Sequence, residues 1–237
     1  MALLLSLETS TQACSVALHQ KEIVLASRQI NTPRSAASKL AVMIREVLAE
    51  ANSKPSDLKA IVVASGPGSY TGLRIGVATA KGFCYALKIP LIAINTLDLL
   101  AFQAKNYLQG NQSGSPTLSV KENLLCPMLD ARRMEVYCKL VDFDLQEIAP
   151  TEAKILDQKS FSEILDKKKV FFFGEGSVKC QEVIQHPNAR FINGLVPDAI
   201  PLGHLGYEKW VQSSCEDVES FEPFYLKDFL IRKPNLV

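Results

Sequence analysis

Apolar residues along this chain fall into two recurring patterns. Short runs rich in leucine or β-branched residues alternate with longer segments whose apolar positions lie three and four apart. Leu3 to Leu7 is the first short run. A polar turn, Glu8-Thr9-Ser10-Thr11, leads to Cys14 to Leu18 and then to Glu22 to Ser27, which together predict an antiparallel meander. Asn31 to Arg34 breaks it. From Ser35 to Asn52, the positions Leu40, Met43, Ile44, Val47, Leu48 and Ala51 line one face of a predicted helix. Pro55 and Asp57 stop and restart the chain. Strand Lys59 to Ala64, helix Thr71 to Leu87, strand Ile89 to Ile94 and a helix from Asn95 or Thr96 to about Lys105 follow. The first half thus reads βββ-α-β-α-β-α.

Gly110 to Pro116, a polar glycine-serine stretch, predicts a loop or hinge. Beyond it the pattern restarts on the same plan. Leu124 to Leu129 ends in Asp130-Ala131-Arg132-Arg133, Met134 to Leu140 returns, and a third strand is expected near Glu147 to Ala149. Val170 to Phe173, a helix opened by Gly174-Glu175-Gly176-Ser177 and running to about Gln185, a short strand at Phe191-Ile192 and a helix from Asp198 to Ser213 complete the second half. Pro223 to Lys227 reads as extended. Both halves open with a hairpin whose first strand ends in an acid, Glu8 or Asp130.

The densest local signal is Gly66-Pro67-Gly68-Ser69-Tyr70-Thr71-Gly72-Leu73-Arg74-Ile75-Gly76, which joins a buried strand to a helix. Gly66 and Gly68 open backbone angles closed to other residues, Pro67 fixes one φ, and Ser69 or Thr71 can cap the helix. Such a turn is either a phosphate cradle or purely conformational. Its spacing is neither that of a Walker A loop nor that of a dinucleotide-binding fingerprint. The helix behind it carries Gly72, Gly76 and Gly82, each costing up to ~1 kcal/mol against alanine. That cost implies very close packing against the helix, inside the domain or by a partner helix.

Composition narrows the function. The 26 basic and 25 acidic residues leave a net charge of +1, which gives no field for autonomous high-affinity nucleic-acid binding. The six cysteines form no C-x-x-C pair and read as reduced core residues of a cytoplasmic protein. Glu8 cuts the N-terminal apolar run short, so it reads as a strand, not a signal peptide; no run has membrane-spanning length. The three histidines, His19, His186 and His204, are far apart, which argues against a histidine metal site; His19 and His186 read as surface residues and His204 as a packed helix residue. No Gly-x-Ser-x-Gly elbow is present.

The Gly66–Gly76 stretch resembles the signature of the TsaB (YeaZ) family. Leu5-Ser6-Leu7-Glu8-Thr9-Ser10, Asp130-Ala131-Arg132-Arg133-Met134-Glu135-Val136-Tyr137 and Pro223 to Lys227 resemble further hallmarks, with Glu8 where many relatives carry aspartate and Lys227 in place of arginine. The resemblance implies an actin-like ATPase fold of two duplicated α/β subdomains, the second shortened, divided into residues 1–109, a hinge at 110–123, and 124–237. It implies a non-catalytic dimerisation subunit that supports a TsaD-like catalytic subunit in forming N6-threonylcarbamoyladenosine in tRNA. ATP and metal would sit on partners, including a TsaE-like ATPase. No catalytic or metal-binding residue of its own is expected, and alone the chain would form a homodimer. The expected partner surface comprises Leu40, Met43, Val47, Gly72, Leu73, Arg74, Gly76, Val77 and Ala80. Gly66, Pro67, Gly68, Ser69 and Thr71 form the glycine turn, and Glu8, Asp130, Arg132 and Arg133 the cleft rim. The alternative is an independent actin-like ATPase or small-molecule kinase using Glu8, the glycine turn and Asp130.

Overall fold

A computed structural model describes residues 2–32, 36–110 and 123–227. The expected hinge at 110–123 lies outside them except at its two ends, as does the predicted helix start at residue 35. Each half supplies one five-stranded sheet. The first has the order β3-β2-β1-β4-β5, from β1 (Leu3–Glu8), β2 (Cys14–Gln20), β3 (Ile23–Ile30), β4 (Leu58–Gly66) and β5 (Leu91–Asn95). The second has the order β8-β7-β6-β9-β10, from β6 (Asn123–Asp130), β7 (Glu135–Val141), β8 (Glu147–Ile155), β9 (Lys169–Phe173) and β10 (Ala189–Ile192). In both sheets the first three strands form an antiparallel meander and the last two join in parallel.

The helices repeat as well. The first half carries α1 (Ala36–Glu50), α2 (Tyr70–Leu87) and α3 (Thr96–Gly110); the second carries α4 (Ser162–Leu165), α5 (Ser177–Val183) and α6 (Ala199–Val211). Both halves therefore read βββαβαβα, and the second is shortened in its first two helices. This is the duplicated actin-like plan.

Four apolar clusters explain how the layers stack. Leu40, Met43, Ile44, Val47 and Leu48 of α1 and Val77, Ala80 and Cys84 of α2 cover one face of the first sheet. Leu99 of α3 and Leu202 of α6 cover its other face. Leu97, Leu100, Ala101 and Ala104 of α3 pack on the second sheet through Leu125, Leu129 and Phe173, so α3 is shared between the halves. Leu165 and Cys180 cover that sheet's outer face. Burying each large aliphatic side chain contributes about 1.5–3 kcal/mol. Lys139, only 8% exposed, ties the halves by bonding Asp98 of α3 at 2.7 Å and Glu147 of β8 at 3.1 Å.

From the second half, α6 returns to the first sheet and the tail follows it. Glu216 bridges Leu91, and the Phe224 amide donates to the Ser65 carbonyl at 2.7 Å. The return of α6 also corrects the reading of His19. It is fully buried, with Gly203 of α6 against its ring and Nε2 3.1 Å from the Ile200 carbonyl oxygen. Burial, with His204 nearby, lowers its pKa to about 4. Five cysteines are buried free thiols, whereas Cys215 is exposed. Among the described residues, no helix is long and apolar enough to cross a membrane.

Candidate functional site

The glycine turn is built around the turn between β1 and β2. The Ser69 amide donates to the Ser10 carbonyl at 2.6 Å, and Ser69 Oγ accepts from the Gly72 amide at 3.3 Å as the α2 cap. Thr9 Oγ1 donates to the Gly72 carbonyl at 2.8 Å. A Cβ on Gly68 would lie closer than 3.0 Å to the Ser10 carbonyl, one on Gly72 closer than that to the Thr9 carbonyl, and one on Gly76 closer than that to Thr9 Oγ1. Gly66 has φ +110°, beyond the reach of ordinary side chains, and precedes a cis bond to Pro67. The close packing anticipated for the helix is therefore packing within the chain. The amides of Ser69 and Gly72 have internal partners, and the Ser10 backbone lies against Gly68.

The second half uses the same device. Gly174, at φ +91°, and Gly176 lie against the carbonyls of Met128 and Leu129 at the end of β6, and the Gly176 amide donates to the Met128 carbonyl at 3.1 Å. Ser177 Oγ bonds the Gly174 carbonyl at 2.8 Å, a helix-start turn with no glycine run beyond it.

Glu8 ends β1 with no solvent exposure. Its Oε1 accepts from the Ser10 amide at 2.5 Å and from Ser10 Oγ at 2.6 Å, while its Oε2 has no partner. Burial raises its pKa to about 7 against the pull of the Ser10 bonds, and Asp198 and Glu175 add to the rise. These two acids were not foreseen from the sequence. Asp198 caps α6, its Oδ1 accepting from the Ile200 amide at 2.8 Å, and the Ala199 amide donates to Ser15 Oγ at 2.9 Å on the strand beside Glu8. Glu175 sits in the second glycine turn, and burial together with Asp130 raises its pKa. The legible signal was positional, since Gly174-Glu175-Gly176 occupies in the second half the place of Gly66-Pro67-Gly68 in the first.

Asp130 is not a mirror image of Glu8. It is half-exposed and pairs with Lys179 at 2.6 Å, and its Oδ1 accepts from the Arg132 amide at 2.6 Å. Lys179 also bonds the carbonyls of Arg133 and Glu135. Arg132 and Arg133 take positive φ at the hairpin tip, and both are exposed. Among the described residues, no group of three or more His, Cys, Asp or Glu side chains is placed to hold a metal ion. At the end of β1 the raised pKa of Glu8 is thus chiefly an effect of burial, to which Asp198 and Glu175 add.

The expected partner surface needs correction. Leu40, Met43, Val47, Leu73, Val77 and Ala80 are 0–4% exposed and belong to the chain's own core, and Gly72 and Gly76 are buried against Thr9. Of that set only Arg74 is exposed. The apolar row marked the inner side of both helices. Their outer side presents Ala41 and Ala49 of α1 and Ala78, Gly82, Tyr85 and Ala86 of α2. A Cβ on Gly82 would meet nothing within 4 Å, and Tyr85 is 79% exposed.

Comparison with known proteins places this architecture. A family model described as TsaD, tRNA N6-adenosine threonylcarbamoyltransferase, matches residues 25–189. The chain is similar to the tRNA threonylcarbamoyladenosine biosynthesis protein TsaB of Bacillus subtilis (29% identity, 94% of this chain and 93% of that protein). It is similar to that of Haemophilus influenzae as well (27%, 95% and 93%). Among solved structures, YeaZ from Pseudomonas aeruginosa superposes with a TM-score of 0.79 at 29% identity, over 95% of this chain and all of that one. On these matches, the chain belongs to the TsaD-type threonylcarbamoyltransferase family, within its TsaB (YeaZ) group.

Proposed function

We propose that this chain is a non-catalytic scaffold subunit in the formation of N6-threonylcarbamoyladenosine in tRNA, pairing with a TsaD-like catalytic subunit through the outer faces of α1 and α2. The relatives' names supply the pathway. The observation that carries the pairing is Gly82. A solvent-facing glycine inside a helix costs up to ~1 kcal/mol against alanine, and among the described residues nothing lies close enough to require it. Flanked by Ala78, Ala86 and the exposed Tyr85, it suits a second helix crossing at close range, with the tyrosine ring supplying contact area. Without the catalytic subunit, the same face would pair two copies of this chain. ATP and metal belong to the partners, including a TsaE-like ATPase, and tRNA is reached through the complex in the cytoplasm.

Light scattering after size exclusion tests this reading. The expected result is a homodimer that converts to a mixed complex when a TsaD-like subunit is added. A monomer whose mass does not respond to that subunit would refute it.

A further inference from the structure

The tail and the second hairpin together build a surface that meets the pairing face only at Arg74. The tail runs beside α2, where Lys81 Nζ donates to the carbonyls of Glu219 at 3.0 Å and Phe221 at 2.9 Å. It then crosses the end of β4 at Phe224. Tyr225 comes to lie against Tyr70, with ring centroids 5.0 Å apart and planes at 40°. The Arg74 guanidinium sits 5.2 Å above the Tyr70 ring and donates to its hydroxyl at 3.0 Å. On the far side, Lys227 pairs with Glu135 of β7, whose amide donates to the Arg132 carbonyl at 3.2 Å. A continuous strip thus runs from Arg74 through Tyr70, Tyr225 and Lys227 to Arg132 and Arg133.

Two features of the strip point to its ligand. First, its arginines are not in ion pairs, although acids lie nearby: Asp130 pairs with Lys179, Glu135 with Lys227, and the exposed Glu222 is three residues from Tyr225. Among the described residues, Arg74, Arg132 and Arg133 have no carboxylate partner, although the chain as a whole carries only +1. Second, large apolar groups are left facing water between these charges. Phe224 is 41% exposed and Tyr225 37%, and Met134 at the arginine turn is 38% exposed. Phosphates need spaced cations, and unpaired bases need flat π-faces; an interleaved strip offers both. A duplex hides its base faces and would use the arginines alone.

We infer that this aromatic–arginine strip is a contact surface for looped, single-stranded RNA, with bases stacking on Tyr225 and phosphates held by Arg132, Arg133 and Arg74. The identification of that RNA as tRNA rests on the function proposed above. Arg74 lies one turn before Ala78 on the same exposed side of α2, so the strip borders the pairing face there and extends away from it along the tail to the second hairpin. The modest net charge implies weak binding by the isolated chain, strengthened inside a complex.

The test uses the full-length chain and a fluorescent tRNA anticodon stem-loop, with the same sequence as a blunt duplex, followed by anisotropy over a series of salt concentrations. The stem-loop should bind more tightly than the duplex. Arg132→Glu with Arg133→Glu should weaken binding by about tenfold or more and reduce the salt dependence by about 1.4 in log–log slope, the share of two single-strand phosphate contacts. Tyr225→Ala should weaken it by roughly tenfold with the slope unchanged, and Tyr225→Trp should restore it. No measurable binding at low salt, equal affinity for loop and duplex, variants that bind like the parent, or displacement by a poly-glutamate peptide at matched charge would each overturn the inference; the last would assign the strip to an acidic protein. The same variants are weighed with the TsaD-like subunit by light scattering. Intact pairing with lost RNA binding supports the strip, and intact pairing with unaltered RNA binding overturns the strip alone. Failure of the parent chain to pair overturns the scaffold reading and leaves the RNA result to be judged on the isolated chain.

Discussion

Replacing Gly72 by alanine sets two effects of known sign against each other. Helix propensity alone would stabilise α2 by up to ~1 kcal/mol. The new methyl, however, would lie closer than 3.0 Å to the Thr9 carbonyl oxygen, a backbone atom with little freedom to withdraw. Thr9 is held on both sides, by its hydroxyl's 2.8 Å bond to the Gly72 carbonyl and by the adjacent β1–β2 ladder. Overpacking of this kind costs about 1–3 kcal/mol, and displacing Thr9 sacrifices a buried hydrogen bond worth about 1 kcal/mol. The net expectation is destabilisation by about 2 kcal/mol. Gly82 on the same helix is the internal control: it is exposed and has open space where a Cβ would be, so Gly82→Ala should stabilise by ~0.5–1 kcal/mol. Urea unfolding followed by circular dichroism measures both, read as a shift in midpoint at unchanged slope. A Gly72→Ala protein as stable as Gly82→Ala would show that the Thr9 lock does not constrain the helix.

Two buried titrating groups give opposite pH dependences. Glu8 keeps its proton up to about 7 when folded and gives it up near 4.5 when unfolded, so its contribution to stability is complete below 4.5 and falls as pH rises through 7. The difference of 7 − 4.5 caps the effect at about 3 kcal/mol. Glu8→Gln should therefore be more stable than the parent by ~1–3 kcal/mol at mildly alkaline pH, measured by urea unfolding; matching profiles across the range would contradict the burial argument. His19 acts with the reverse sign: its folded pKa of about 4 lies below the ordinary 6.5, so its contribution is present above 6.5 and lost as pH falls through 4. The two slopes oppose each other in the parent between pH 4.5 and 6.5, and Glu8→Gln should unmask a stability that climbs with pH across that window.

What the sequence revealed and what it hid divide along one physical line. Patterns that depend on neighbours along the chain were legible: the β1–β2–β3 meander, the α1 and α2 stripes, the Ser69 cap and the restart of the same plan at Leu124. The interior glycines correctly signalled a close approach. The residue that approaches is Thr9, 63 positions from Gly72, and nothing local names it. Periodicity in α1 and α2 showed that Leu40, Met43, Val47, Leu73 and Val77 are buried; it carries no information about whether the chain's own sheet or a partner does the burying. His19 was misjudged for a related reason. A strand in a meander usually wets one face, but α6 returns from the other end of the chain to cover β2. Glu175 and Asp198 act on Glu8 from elements far along the chain, the second glycine turn and the α6 cap. The edge strand β8 runs to Ile155, beyond the expected Ala149, because apolar Ile148 and Ile155 are exposed while polar Thr151 and Lys154 are half-buried, so no apolar run or alternation marks it.

The pairing face is the claim on which the scaffold function stands, and Gly82→Glu tests it most directly. The substitution adds bulk and charge at a site open to solvent, so the chain's own unfolding midpoint should stay within the range of ordinary surface changes, about 0.5 kcal/mol. Light scattering of the variant with and without a TsaD-like subunit then reads the interface. The expected result is a folded monomer that no longer enters the mixed complex. A variant that still pairs as the parent does would place the partner surface elsewhere and leave the glycine at that position without a physical reason.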